Sequence, residues 1–272
     1  QHGGQSIPNF DYGMAPGVRK TYAKLYRKNL CKALELLSDI EDIDGYLDGL
    51  YEALQMVPTL TDENGYQAKE AAFMEKTLPK ETVEKIQHFV LKNTFQETER
   101  ATFQAMEALV HNLNTMHSRA GAQIPFSSIN YGTDTSAEGR MIIKNVLLAT
   151  EKGLGNGETP IFPIHIFKVK EGVNYNPGDP NYDLFKLACR VSAKRLFPNF
   201  SFLDAPFNKQ YYREGHPETE IAYMGCRTRV IANHYDKDRE IVYGRGNLSF
   251  TTINLPRIAL KSKGDIDFFF EE

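Results

Sequence analysis

The sequence has few cysteines, no long apolar run and little excess charge, and each shortage excludes a class of protein. Its three cysteines, Cys31, Cys189 and Cys226, lie far apart in 272 residues, which argues against a disulfide framework or a zinc knuckle. No apolar stretch approaches the ~18–20 residues that span a bilayer, and no signal-peptide pattern opens the sequence. A net charge of −3 gives no general attraction for nucleic acid. We therefore expect a cytoplasmic protein with no membrane and no nucleic-acid partner.

The rest of the composition is that of an ordinary globular protein, with 41% hydrophobic and 25% charged residues. Its seven histidines have no metal-ligand spacing with each other or with cysteine. We therefore predict no metal on this chain. The length is compatible with one large domain or two small ones.

The three cysteines differ in their sequence surroundings. Cys31 and Cys189 have apolar neighbours at helical spacing, which predicts inert buried thiols. Cys226 stands between Gly225 and Arg227, in a segment too polar for a core. The residues alone leave open whether Cys226 is inert or reactive.

The first part of the chain, residues 1–120, has the apolar spacing of helices. We predict helices over residues 18–37, 41–56 and 81–118. The last of these has an apolar stripe that either packs within its own domain or forms a subunit interface. The stripe consists of Ile86, Phe89, Val90, Thr94, Phe95, Ala101, Ala105, Leu109 and Leu113.

The second part, residues 121–272, alternates between strand and helix patterns. Strands are predicted over residues 123–130, 161–169 and 248–255, and helices over residues 136–152 and from Asp179 to about residue 196. Asp179 is the expected N-cap of that last helix and Pro180 its first residue. This order predicts an α/β fold with parallel β-α-β units.

The loop between the first predicted strand and its helix is a candidate binding segment. Such junctions collect free backbone amides that favour phosphate, and small hydroxyl side chains allow close approach. An ordinary N-cap at Ser136 is the alternative, and both can hold together. The candidate substrate-binding residues are Ser127, Ser128, Asn130, Gly132, Thr133, Thr135 and Ser136.

Several motifs occur together in a fixed order. They are Phe-Asp-Tyr-Gly-Met-Ala-Pro (residues 10–16), the segment at residues 113–136, Ala-Tyr-Met-Gly-Cys-Arg-Thr-Arg (222–229) and Asn-Leu-Pro-Arg (254–257). This set resembles the anaerobic (class III) ribonucleoside-triphosphate reductases, a family of glycyl-radical enzymes. The resemblance covers nearly all of the chain.

The resemblance implies a fold and a division of the chain. Residues 121–272 would form about half of a ten-stranded α/β barrel together with a finger loop. Residues 1–120 would form a helical region at a dimer and effector interface. The regulatory ATP-cone, the zinc site and the glycyl-radical loop of the family have no counterpart in this sequence. We therefore expect an internal fragment that is inactive alone.

The resemblance also implies roles for individual residues. Cys226 would be the thiyl residue that abstracts hydrogen from the ribose, and Asn247 the active-site asparagine that bonds ribose hydroxyls. The basic helix that contains Lys20, Lys24 and Arg27 would contact effector phosphates, with a solvated basic face as the alternative.

The implied cofactors and partners belong to the full-length parent enzyme. They are a glycyl radical, a structural zinc, ATP and deoxynucleotide effectors, a ribonucleoside triphosphate substrate, a radical-SAM activating enzyme, formate or a dithiol as reductant, and a second subunit of a homodimer. Two other functions stay open: a nucleotide-binding regulatory module, and a glycyl-radical enzyme with a different substrate.

Overall fold

A computed structural model describes residues 4–116, 124–225, 228–230, 236, 244–246 and 252–272. These residues form a mixed α/β fold with a four-stranded parallel sheet and a two-stranded antiparallel hairpin. The predicted α/β class is confirmed. The strands are β1 (Gly4–Ile7), β2 (Phe126–Tyr131), β3 (Ile164–Val169), β4 (Asn199–Phe202), β5 (Ala222–Met224) and β6 (Thr228–Val230). The helices are α1 (Phe10–Leu37), α2 (Ile43–Leu54), α3 (Tyr66–Met74), α4 (Lys80–Thr115), α5 (Ala137–Lys152), α6 (Tyr182–Arg195), α7 (Pro206–Lys209), α8 (Leu255–Ser262) and α9 (Ile266–Glu271).

The parallel sheet has its strands in chain order, β1-β2-β3-β4. Helix α5 connects β2 to β3 and α6 connects β3 to β4, so the predicted parallel β-α-β units are confirmed. Strand β1 comes from the start of the chain and pairs with β2, with Ser6 opposite Ser128. The sheet therefore draws on both parts of the chain. The division at residue 120 stays a prediction.

The two faces of the sheet differ in polarity because side chains alternate along a strand. Ile129, Tyr131 and Phe167 point to one face and pack with α5, α6 and the start of α1 in an apolar core. Ser128, Asn130 and Lys168 point to the opposite face. That polar face carries the candidate site.

Helix α4 links the sheet core to a second core made by α1, α2 and α3. Its early residues Val83, Ile86 and Val90 belong to the second core, and Met106 belongs to the sheet core. From Ile86 to Val110 the buried positions recur every four residues. Steps of four exceed the 3.6-residue turn, so the buried line winds around the helix and changes neighbours along its length.

The predicted α4 stripe is therefore correct in its first half and only partly correct in its second, where the predicted Leu109 packs against the sheet core. Ile86, Val90 and Thr94 are buried within the chain, whereas Phe95 is 46% exposed. Further along, Thr98 and Thr102 are buried in place of the predicted Ala101 and Ala105. The predicted stripe had mixed three- and four-residue spacing, whereas from Ile86 onward the buried positions keep steps of four, and α4 contacts both α1 and α5.

Two predicted element boundaries are wrong because a capping residue was misassigned. Helix α6 begins at Tyr182, after Asn181, while the Asp179 carboxylate accepts from the backbone N–H of Asn176 at 2.7 Å in the preceding turn. The strand predicted over residues 248–255 does not extend through residues 252–255. Asn254 accepts from the backbone N–H of Arg257 at 3.0 Å and caps helix α8. Residues 248–251 lie outside the described part.

The predicted burial of the two helical cysteines is also wrong. Cys189 is exposed and Cys31 is partly exposed. Helix α6 buries Leu184, Ala188 and Val191, and Cys189 follows Ala188 directly, so it leaves that face after a turn of about 100°.

The sheet core contains one fully buried histidine. His165 Nδ1 lies 3.0 Å from the Tyr131 hydroxyl, and its Nε2 lies 3.2 Å from the Thr150 hydroxyl. Burial lowers the pKa of His165 to about 3. The ring is therefore neutral in the folded protein at any pH near neutrality.

The His165 pKa predicts how stability depends on pH. In the unfolded chain His165 has a pKa of about 6.5 and is protonated below that pH. In the folded chain its pKa is about 3, so it stays neutral down to about pH 3. Stability is therefore lost as pH falls below about 6.5. Between pH 7.5 and 5.5 the wild type should lose about 1.4 kcal/mol more unfolding free energy than His165→Gln. Urea unfolding at both pH values measures this, and equal losses would contradict it.

Candidate functional site

The candidate site lies at the carboxyl ends of the parallel strands, where α/β sheets commonly bind ligands. Asn9 and Asp11 follow β1, and Gly132 and Thr133 follow β2. Strand β5 lies against β1 and β2 beside them. Residues from three distant parts of the chain therefore meet at this edge.

The turn after β2 requires glycine. Gly132 has a φ of +131°, and a Cβ there would lie 2.8 Å from the Lys168 carbonyl oxygen and 3.2 Å from the Lys168 nitrogen. Its own carbonyl oxygen accepts from the side-chain amides of Asn174 and Asn181 at 3.0 and 3.2 Å. The close approach of Gly132 to Lys168 and the two hydrogen bonds from Asn174 and Asn181 thus hold the turn against β3.

The Asp11 carboxylate occupies the backbone amides that the sequence suggested for phosphate. Its Oδ2 accepts from the N–H groups of Gly132, Thr133 and Asp134 at 2.8, 3.1 and 3.1 Å. The pKa of the Asp11 carboxyl is raised above its usual value because of burial. The charge of Lys168 and the amides of Gly132 and Asp134 lower it, but they offset only part of that rise. The expectation that these three amides are free is wrong, because an internal anion already binds them.

A buried ion pair lies next to this carboxylate. Lys168 Nζ lies 3.1 Å from Glu220 Oε2 and donates to Asn9 Oδ1 at 2.6 Å. Lys168 and Glu220 are only 1% and 3% exposed. The Thr133 hydroxyl donates to the same Glu220 oxygen at 2.8 Å. Sequence reasoning missed both charged residues, although a lysine within the apolar strand Ile-His-Ile-Phe-Lys-Val was an available signal.

The hairpin that follows Glu220 pairs β5 with β6. Tyr223 lies opposite Arg229, and Met224 lies opposite Thr228. Gly225 has a φ of +68°, and a Cβ there would lie 2.9 Å from a ring carbon of Phe126. The glycine before Cys226 is therefore required by both backbone and space. The predicted catalytic residues Cys226 and Asn247 lie outside the described residues.

Two of the predicted substrate residues contact this hairpin. Asn130 bonds both the N–H and the carbonyl oxygen of Tyr223, and Ser128 Oγ accepts from the Gly225 N–H at 3.0 Å. Both side chains are buried. Asn130 and Ser128 therefore form their hydrogen bonds to the hairpin within the chain.

The other predicted substrate residues do not form one cluster. Ser127 is offset by one position from Ser128 and so faces the helices, where its buried hydroxyl has no hydrogen-bond partner among the described residues. Ser136 accepts from the Gly139 N–H at 3.1 Å, which confirms it as the N-cap of α5. Thr135 is exposed.

The predicted effector residues lie apart from this site. Lys20, Lys24 and Arg27 are all exposed on α1. At 1.5 Å per residue, Arg27 is about 24 Å along the helix from Asp11. Its guanidinium forms an ion pair with Asp48 at 2.8 Å.

Among the described residues, no group of three or more His, Cys, Asp or Glu side chains could hold a metal ion. The prediction of no metal on this chain stays a prediction. None of the helices in the described ranges combines the length and apolar character needed to cross a bilayer.

The Asp11 carboxylate should be important for stability. Asp11→Ala leaves three amide donors without their acceptor, so we expect a loss of about 3–5 kcal/mol of unfolding free energy. Asp11→Asn keeps one acceptor oxygen and should lose less. Urea unfolding measures both, with Asp39→Ala on an exposed aspartate as a control that changes by less than about 0.5 kcal/mol. An Asp11→Ala loss as small as that of the control would contradict this role.

Comparison with known proteins agrees with the motifs at this site. The family model "Anaerobic ribonucleoside-triphosphate reductase" matches residues 1–272. The chain is similar to proteins of that name from Haemophilus influenzae, with 38% identity over 63% of this chain and 23% of the relative, and from Enterobacteria phage T4, with 41% identity over 61% and 27%. For the Escherichia coli K12 protein of the same name the values are 35%, 64% and 24%. The matched segment thus spans about a quarter of each relative. The whole-length match to the family model establishes that this chain belongs to the anaerobic ribonucleoside-triphosphate reductase family.

Proposed function

We propose that this chain is part of a longer enzyme that reduces ribonucleoside triphosphates to deoxyribonucleoside triphosphates by radical chemistry. The observation that carries the proposal is the hairpin of β5 and β6, which lies on the polar face of the sheet. In the sequence, Gly225-Cys226-Arg227 follows β5, and this segment resembles the thiyl finger of the family. Family membership and the position of β5 on the polar face support Cys226 as the thiyl residue.

We also propose that the sheet is about half of a ten-stranded α/β barrel. The helices α5 and α6 cover one face of the sheet and the hairpin covers the other. In a closed barrel, these would become the outside and the inside respectively. The finger would then lie in the centre, shielded from water.

The proposed reaction needs a sulfur atom in contact with a ribose carbon. The Cys226 thiyl takes the hydrogen atom from the ribose 3′ carbon, which forms the S–H bond, breaks the C–H bond and leaves the unpaired electron on carbon. The 2′-hydroxyl then takes up a proton and leaves as water. Formate, oxidised to CO2, or a dithiol, oxidised to a disulfide, supplies the two reducing equivalents, and the Cys226 S–H returns its hydrogen atom to the 3′ carbon, which regenerates the thiyl. A glycyl radical elsewhere in the longer enzyme supplies the oxidising equivalent. Asn247 would bond ribose hydroxyls without adding charge.

Within the described residues, we propose that the loop after β2 borders the substrate. Gly132 and Thr133 are fixed by Asp11 and Glu220, so they shape the loop. The exposed Thr135 hydroxyl is the candidate for direct contact with a triphosphate. Ser128 and Asn130 would act through the hairpin and Ser136 through the start of α5, and the substrate role predicted for Ser127 stays a prediction.

The regulatory proposals concern α1 and partners of the longer enzyme. Exposed Lys20 and Lys24 are available to effector phosphates, whereas Arg27 would first have to leave Asp48. The family resemblance further implies a cytoplasmic homodimer, deoxynucleotide effectors and a radical-SAM activating enzyme. A purely regulatory nucleotide-binding role for this chain is the alternative.

The deciding experiment is anaerobic CTP reduction by the full-length enzyme after activation, compared with its Cys226→Ser variant. The variant should form the glycyl radical, seen by electron paramagnetic resonance, yet produce no dCTP, because serine does not form the hydrogen-abstracting thiyl. Cys189→Ser, which changes an exposed cysteine of α6, is the matched control and should keep full activity.

Two results would overturn the assignment. Activity retained by Cys226→Ser would exclude it as the hydrogen-abstracting residue. Reductase activity of the 272-residue chain alone would contradict the proposal that the radical source lies elsewhere.

A further inference from the structure

The side-chain amide of Asn130 makes the two hydrogen bonds to β5 that the backbone of a neighbouring strand would otherwise make. Its Oδ1 accepts from the Tyr223 N–H at 2.8 Å, and its Nδ2 donates to the Tyr223 carbonyl oxygen at 2.9 Å. The same Nδ2 donates to the Ile7 carbonyl oxygen at 3.3 Å. Asn130 is completely buried. One carboxamide thus satisfies both backbone groups of a residue in β5.

Two serines on the same face of the sheet complete this arrangement. Ser128 lies two residues before Asn130 and accepts from the Gly225 N–H at 3.0 Å. Ser6 lies opposite Ser128 on β1 and donates to the Tyr223 carbonyl oxygen at 2.9 Å. Tyr223 and Gly225 are alternate residues, so their N–H groups point to the same side of β5. We call Asn130, Ser128 and Ser6 the hairpin clamp.

The hairpin has a second, separate attachment at its base. Glu220 precedes β5 and is held by Lys168 at 3.1 Å and by the Thr133 hydroxyl at 2.8 Å. This attachment fixes where the hairpin leaves the sheet edge. The hairpin clamp holds Tyr223 and Gly225, which lie three and five residues after Glu220. Gly225 directly precedes Cys226 in the sequence.

We propose that Asn130, assisted by Ser128 and Ser6, is a positioning residue that sets the distance of the finger from the sheet and thereby aligns Cys226 with the substrate. The proposal rests on the proposed function and assigns Asn130 a role different from substrate binding. Hydrogen-atom transfer requires reacting atoms in contact, and a displacement of about 1 Å can cost about 100-fold in rate. A rigid clamp next to the reacting residue meets that requirement.

The hydrogen-bonding capacity of Asn130 favours positioning over substrate contact. Both N–H groups of its amide can be used by Ile7 and Tyr223, and its oxygen already accepts from Tyr223. Because Asn130 is completely buried, a ribose hydroxyl could reach the remaining acceptor lone pair of its oxygen only by displacing the packing around it, including the hairpin. Loss of the clamp should therefore slow the chemical step without weakening substrate binding.

The clamp itself can be tested on the full-length enzyme without any measurement of activity. Hydrogen–deuterium exchange at single-residue resolution reports the Tyr223 and Gly225 amides. We expect Asn130→Ala to speed exchange at Tyr223 by about tenfold or more, and Ser128→Ala to do so at Gly225, because each loses its acceptor. Asn145→Ala is the matched control, since Asn145 is a buried asparagine that bonds the Met141 carbonyl oxygen within α5. Unchanged exchange at both amides would overturn the clamp, and if Asn130→Ala does not fold, Ser128→Ala decides.

The functional consequence is tested in the activated full-length enzyme. Asn130→Ala and Ser128→Ala should lower kcat by about tenfold or more, leave KM for CTP within about twofold, and leave the glycyl-radical signal unchanged. Asn145→Ala should keep the wild-type values. A raised KM at unchanged kcat would overturn positioning in favour of substrate contact. An inactive wild type would instead refute the proposed function, and the exchange experiment would still decide the clamp.

Discussion

The contact between the Asp11 carboxylate and three consecutive backbone amides is the constraint on which the polar half of the structure depends. It joins the first turn of α1 to the turn after β2 across 121 residues of sequence. Because Gly132 is fixed, Thr133 can reach Glu220, and Glu220 can pair with the buried Lys168. A carboxylate at this position replaces the ligand anion that such amide groups often bind. The strand-end loop is thus shaped by the protein itself.

The two faces of the sheet differ in the side chains that they carry and in what packs against them. Apolar residues on one face pack against α5 and α6 in one of the two hydrophobic cores. The other face is lined by hydroxyl, amide and ammonium groups, and most of these are hydrogen-bonded to backbone. Burying polar groups is unfavourable unless they are paired. Their presence here indicates that the polar face is kept for the placement of the hairpin.

The sequence predicts what depends on local periodicity and fails where distant residues decide. The bounds of α5, β2 and β3 were predicted to within a few residues, since apolar spacing and the Ser136 cap are local signals. The bond from Asp11 to Gly132 and the pairing of Lys168 with Glu220 have no local pattern, so neither could be inferred. At Asn254 a local signal was present but misread, because the β-rich pattern of residues 248–255 suggested a strand where an N-cap and proline begin α8. Cys226 was singled out by resemblance, and it stays a prediction.

The pairing of β1 with β2 has a consequence for how the chain folds. These neighbouring strands are separated by the whole succession of α1 to α4, so their hydrogen bonds join residues up to 123 positions apart. Closing so long a loop carries a large entropic cost, which slows folding of topologies rich in distant contacts. The long helices α1 and α4 pack against each other, so in the folded chain they hold the two ends of that loop close together. The packing of these two helices therefore supports the pairing of the first strand with the rest of the sheet.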